Sequence, residues 1–203
     1  MSDTGWVSPG TVVSDSSVGT VAWSDPNNVK VDDFSWSNAS YTGESSADSE
    51  YLKTTNFGFT IPVGFIIKGI EIEVKKERGT NTVNDVIAKI VKSDGSIGGS
   101  NKAKTSTDWS ISGVTHTYGG DSDLWGETWS VNDINDVDFG FVISARIYDE
   151  ESKGNYASVN YIKIKVYYTE GGTPTVGVKY PLPAFKRSSG GGDIGDPPPV
   201  NPI

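Results

Sequence analysis

Apolar and polar side chains alternate with a period of two along three long stretches of the chain. Ile70, Ile72 and Val74 interleave with Glu71, Glu73 and Lys75, and Ile162, Ile164, Val166 and Tyr168 interleave with Lys163, Lys165 and Tyr167. Phe139, Phe141, Ile143, Ala145 and Ile147 alternate in the same way with Gly140, Val142, Ser144, Arg146 and Tyr148. Successive side chains of a strand point to opposite faces, so this pattern predicts antiparallel strands with one face buried and the other wet. A further strand is predicted through Val86, Ala88 and Ile90. The Asp94-Gly95 pair after it is a tight-turn signal and predicts a hairpin into Ile97, with pairing weakened by Gly98 and Gly99.

Helical periodicity is scarce. The best candidate is a single turn over Ser130–Asn135, with Ser130 as its cap and Asp133 in its first turn, against a plain loop as the alternative. Many short strands separated by Gly, Asn, Asp and Ser clusters predict an all-β fold, an antiparallel β-sandwich of jelly-roll type.

The pattern stops near Glu170. Residues 1–169 read as the sandwich domain and 170–203 as an extended Gly/Pro-rich C-terminal arm without alternation. Within the arm, Val178, Tyr180, Leu182 and Phe185 are apolar positions spaced by Pro181 and Pro183. Proline holds the backbone near polyproline II geometry and lowers the entropy lost when an extended segment docks in a neighbour's groove. The bland alternative is a linker that folds back on its own sandwich. The arm's charges cancel, Lys179, Lys186 and Arg187 against Glu170, Asp193 and Asp196. The formal net charge of −9 therefore belongs to the sandwich.

That charge narrows the chemistry. An acidic surface is unsuited to neutralising nucleic-acid phosphates or anionic lipid, so neither nucleic acid nor membrane is expected as a partner. Lys75, Lys76 and Arg78 read as a small solvated exception. No run of eighteen apolar residues occurs, and the N-terminal MSDTGWVSPG lacks the order of a secretory signal, so a soluble chain is expected. The chain has no cysteine and one histidine, His116, which removes thiolate metal sites and histidine clusters. No cofactor and no metal are expected.

Several stretches carry a resemblance: WVSPGTVVSDSSVGTVAWSDPNN at 6–28, YLKTTNFGFTIP at 51–62, IKGIEIEVKK at 67–76, DLWGETWSVNDIN at 123–135 and ASVNYIKIKVYYT at 157–169. Together they resemble a family of β-sandwich domains in structural proteins of tailed bacteriophages, over residues 6–169. The FGF-to-IP and LWG-to-W combinations carry most of it. The resemblance implies a virion component with no activity attached, leaves capsid, neck and tail open, and offers no catalytic motif.

Three chemistries remain to be weighed from the residues. His116 lies in a strand-like Val-Thr-His-Thr-Tyr context, and no Gly-x-Ser-x-Gly elbow accompanies it, so a polar strand residue is expected in place of a triad member. Asp121 and Asp123 beside Trp125, and Asp133, Asp136 and Asp138 after Trp129, suggest a sugar cleft or a calcium loop. The same residues are what turns use to bond their own backbone, and turns are the expectation. Gly98-Gly99 and Gly190–Gly192 lack the lysine and helix of a phosphate loop.

Six tryptophans, Trp6, Trp23, Trp36, Trp109, Trp125 and Trp129, fill cores or anchor partners. Most are expected inside, with Trp6 and Trp36 meeting a partner. An exposed coplanar pair among Trp109, Trp125 and Trp129 would favour sugar binding, and their burial a scaffold. The expectation is a non-enzymatic bacteriophage virion structural protein, a capsid decoration or other accessory component anchored through subunit contacts and its arm. Its partners would be other virion proteins, a major capsid or tail protein, and further copies of itself in an oligomer or lattice. The alternative is a carbohydrate- or receptor-binding module of a phage tail or fibre, with a host glycan as partner.

Overall fold

A computed structural model describes residues 1–171, which form one compact unit, Met1–Gly171. In chain order the strands are β1 (Ser2–Asp3), β2 (Thr11–Asp15), β3 (Trp23–Ser24), β4 (Ser37–Tyr41), β5 (Ser46–Asp48) and β6 (Tyr51–Thr55). They continue as β7 (Phe65–Arg78), β8 (Val83–Val91), β9 (Ile97–Gly98), β10 (Val114–Gly120), β11 (Gly140–Tyr148) and β12 (Asn155–Glu170). A 3-10 turn (Pro26–Lys30) follows β3, and the short helix α1 (Val131–Asn135) precedes β11.

Two antiparallel six-stranded sheets face each other, which makes the fold the expected β-sandwich. The first runs β10-β7-β12-β4-β3 with β1 added to β12, and the second runs β2-β6-β11-β8-β9 with β5 added to β11. The long β7/β12 pair is the spine of the first sheet, with Ile72 opposite Ile164 and Val74 opposite Ile162, all fully buried. Their core-facing side chains meet those of β11 and β8 across the sandwich: Phe141, Ile143, Ala145, Ala88 and Ile90. At about 25 cal/mol per Å² this apolar contact is the main force holding the sheets together.

The predicted alternation holds on β7 and β12 and fails in two places on the second sheet. Val86 is only half-buried and off the core face. A β-bulge on the β8/β11 ladder, where Ser144 pairs with Ile87 and Ala145 with Asp85, shifts the parity, so that Val83 and Asp85 point inward before it and Ala88 and Ile90 after it. Strand β11 is not half-wet either. Val142 is buried with Tyr51 and Val91 in a second small cluster, over which Val18, Ile87 and Ile97 close. The hairpin after Asp94-Gly95 forms as expected, pairing Val91 with Ile97.

The helical turn also forms. Ser130 accepts from the Asp133 amide while the Asp133 carboxylate accepts from the Ser130 amide, a reciprocal capping box. Ser130→Ala is expected to lower stability by about 1 kcal/mol, read from the urea midpoint.

The stretches that carry the family resemblance occupy structural positions. Phe57, Phe59 and Ile61 are core residues, with Phe57 stacked on Phe59. In the LWG-to-W stretch, Trp125 is fully buried in the left-handed backbone region at φ 60°, Gly126 follows at φ 75°, and Trp129 sits edge-on to Phe139.

Candidate functional site

Trp6 and Trp36 lie on the same outer face of the first sheet. Val7 pairs with Ile164 and packs inward, which turns Trp6 outward onto Lys165, whose ammonium sits 4.2 Å from its ring centre. Lys165 also meets Glu71 at 3.9 Å, and Glu71 accepts from the Tyr167 hydroxyl at 2.6 Å. That bond raises the Tyr167 phenol to about 12. Further along β12, Lys163 lies 4.2 Å from the Tyr161 ring centre, and Asp32 bridges Lys75 at 3.2 Å and Lys163 at 3.8 Å. Trp36 closes this end, its ring filling the space a side chain at Gly113 would need. From Lys165 to Tyr161 is about 13 Å at the rise of a β-strand, so the two half-buried tryptophans bracket a face of aromatic rings and paired charges on which Tyr161 is itself buried.

Where β7 turns into β8, beside the end of β11, lies a polar groove of about 400 Å³ between Arg78, Asn81, Asn84, Tyr148 and Glu150. It shares Asn84 and Tyr148 with a smaller recess of about 120 Å³ beside Val86, Thr105 and Arg146. The side-chain carbonyl oxygen of Asn84 is buried without a hydrogen-bond donor.

Between the sheets lies a centre that the sequence pattern did not reveal. Lys76 is 1% exposed and points into the core, so it is not part of a solvated basic patch; on β7 it has the same parity as Ile70, Ile72 and Val74. Its ammonium donates to the Asp85 carboxylate and, at 2.5 Å, to the Tyr118 hydroxyl, and lies 4.4 Å from the Trp109 ring centre. Asp85, 2% exposed, also accepts from the Trp109 indole at 2.8 Å, the Tyr118 hydroxyl at 2.8 Å and the Lys104 amide at 2.9 Å. The network ties β7 and β10 of one sheet to β8 of the other. Burial lowers the Lys76 ammonium to about 8, opposed by the Asp85 charge, and burial raises the Tyr118 phenol well above its usual value, with the Asp85 carboxylate adding to the effect.

The candidate catalytic residues do not assemble into a reacting set. His116 is half-buried on β10, where burial and then the Lys76 and Lys104 charges lower its pKa, and among the described residues no hydrogen bond joins it to a serine or a carboxylate. The aspartates serve turns. Asp123 accepts from the Trp125 amide at 2.8 Å and pairs with Lys102 at 2.6 Å, and Asp136 accepts from the Asp138 amide at 2.9 Å. Among the described residues no group of three or more His, Cys, Asp and Glu has the arrangement of a metal site. Trp109 and Trp125 are buried, and Trp129 packs half-buried against the core, so they present no exposed coplanar pair. The predicted docking residues Val178, Tyr180, Pro181, Leu182, Pro183 and Phe185 lie outside the described residues. No helix among the described residues is long and apolar enough to cross a membrane.

No protein-family model matches the chain, and no curated protein matches it. Among solved structures, one described as "CBM4 structure and function" is similar at 10% identity with a TM-score of 0.37, over 79% of this chain and 93% of its own. Another, TmCBM61 in complex with β-1,4-galactotriose, is similar at 8% identity and a TM-score of 0.37, over 79% of this chain and 88% of its own. At that level the likeness carries no functional weight, and the sandwich is established by the strand pairing itself.

Proposed function

We propose that the chain is a non-catalytic component of a tailed-bacteriophage particle that works by attachment, as a capsid decoration or similar accessory protein. One observation carries attachment, while the particle itself rests on the sequence resemblance: the two tryptophans outside the main apolar core bracket a single sheet face, whereas Trp109 and Trp125 are consumed by the core. Half-exposed tryptophan rings suit anchoring points in a protein interface, and the paired charges between them offer polar contacts to a partner. Repeated weak contacts on a symmetric lattice multiply through effective concentration, so each copy needs only modest affinity.

Lysine acetylation of assembled particles and of the isolated chain tests the assignment. Lys75, Lys163 and Lys165 are expected to react several-fold more slowly in the particle, with Lys89 on β8 and Lys92 just after it unchanged. Equal labelling of all five in both samples overturns the docking face.

A second reading, a module that binds a glycan, is favoured by the polar groove over Asn84 and Tyr148. Sugar sites combine an aromatic surface with convergent hydrogen-bonding groups, and this groove supplies both.

A further inference from the structure

We infer that the groove over Asn84 and Tyr148 is a site for a neutral, polyhydroxylated ligand, a short oligosaccharide. This rests on the glycan reading above and deepens it, placing the ligand at the turn from β7 to β8 and the end of β11, in a groove whose lining includes neither Trp6 nor Trp36. The β8/β11 register builds the site by setting Asn84 opposite Arg146, while the Tyr148 amide bonds the Thr82 carbonyl. Its volume of about 400 Å³ falls in the range of small-molecule sites, about 300–1,000 Å³.

The lining selects the chemistry. Both cations at the groove are already committed: Arg146 forks onto Asp48 at 2.7 and 2.8 Å, and Arg78 pairs with Asp108 at 2.9 Å and donates to the Trp109 carbonyl at 2.8 Å. Neutralised guanidinium groups leave little charge to hold a phosphate or carboxylate. Apolar lining is confined to Tyr148 and Val86, too little for a hydrophobic anchor. What remains is an aromatic ring among amide and hydroxyl side chains and the Glu150 carboxylate, which accepts from hydroxyls and repels anions, with a buried Asn84 acceptor that has no donor. An unpaired buried acceptor is costly, and a turn of the amide about its last bond lets a sugar hydroxyl supply the missing donor.

The test is a titration of the full isotope-labelled chain with cellotriose, maltotriose and chitotriose up to about 10 mM, following backbone amides by NMR. At least one trisaccharide is expected to shift the amides of Asn84, Arg146 and Tyr148 saturably. Asn84→Ala and Tyr148→Ala are each expected to weaken that binding about tenfold or more. The melting temperature of Asn84→Ala should not fall, because the change removes an unpaired acceptor. Binding that maps to Trp6 or Trp36, or that survives both substitutions, overturns the groove and leaves the glycan reading standing. No shift with any of the three sugars overturns both.

Discussion

Asp85→Leu is expected to destabilise the protein by about 3–5 kcal/mol, the cost of leaving a buried charge without its partner. Leucine removes the acceptor that four donors share: the Lys76 ammonium, the Trp109 indole, the Tyr118 hydroxyl and the Lys104 amide. The converse change should be milder. In Lys76→Met the carboxylate keeps three of its donors, and methionine fills the volume of the lysine stem, so a loss of about 1–2 kcal/mol is expected. Urea denaturation of the two variants checks the order, and equal losses would mean that the pair acts as a simple ion pair.

The pH dependence of stability gives the same network a second readout. The Lys76 ammonium titrates at about 8 in the folded protein against 10.5 when exposed. Between those values the unfolded chain binds a proton that the folded chain does not, so this residue makes stability rise as pH increases from about 8 to about 10.5. Below the folded value both states carry the proton, and the burial cost is fully present. Subtracting the Lys76→Met curve from that of the parent should isolate this rise, and a flat difference would show that Lys76 keeps its charge across the window.

Trp125→Ala is the other substitution expected to act strongly, with a loss of about 3–5 kcal/mol from the cavity left by a fully buried indole. The ring is held at both ends. Its indole donates to the Ile70 carbonyl at 2.9 Å on β7, and it meets Phe141 of the opposite sheet edge-on at 6.0 Å. Gly119 makes room for it: at φ 74°, a side chain there would come within 2.2 Å of the Ile70 carbonyl oxygen and 2.7 Å of the indole nitrogen. Gly119→Ala is therefore expected to loosen β10 from β7 as well, since both the backbone and the ring would have to shift. A denaturation midpoint for Trp125→Ala within experimental error of the parent would remove Trp125 from its place as an inter-sheet anchor.

The burial of Trp125 also shows where function was illegible in the chain. Aspartates beside Trp125 and Trp129 are as compatible with a sugar cleft as with a turn when only neighbours in sequence are visible. What separates the two is whether the indole faces solvent, and that depends on Ile70 and Phe141, both distant in sequence. Trp6 and Trp36 stand out in sequence by their Gly- and Ser-rich surroundings. Their position on one face of one sheet follows from the pairing of Val7 with Ile164 and the contact of Trp36 with Gly113.

Local chemistry by itself determined β7 and β12, because alternation is a property of neighbouring residues and decides which side of either ribbon is apolar. It also determined the Asp94-Gly95 hairpin and the Ser130 cap, whose partners lie within a few residues. Tertiary structure decided the rest. The bulge opposite Ser144 and Ala145 turned Asp85 inward and Val86 off the core face, and strand parity carried Lys76 into the core to meet Asp85. Neither residue belongs in an apolar interior on its own, since burying a charge without hydrogen-bonding partners is prohibitive. The pair is tolerated because two sheets, built from strands far apart in the chain, bring an ammonium, a carboxylate, a phenol and an indole to one point.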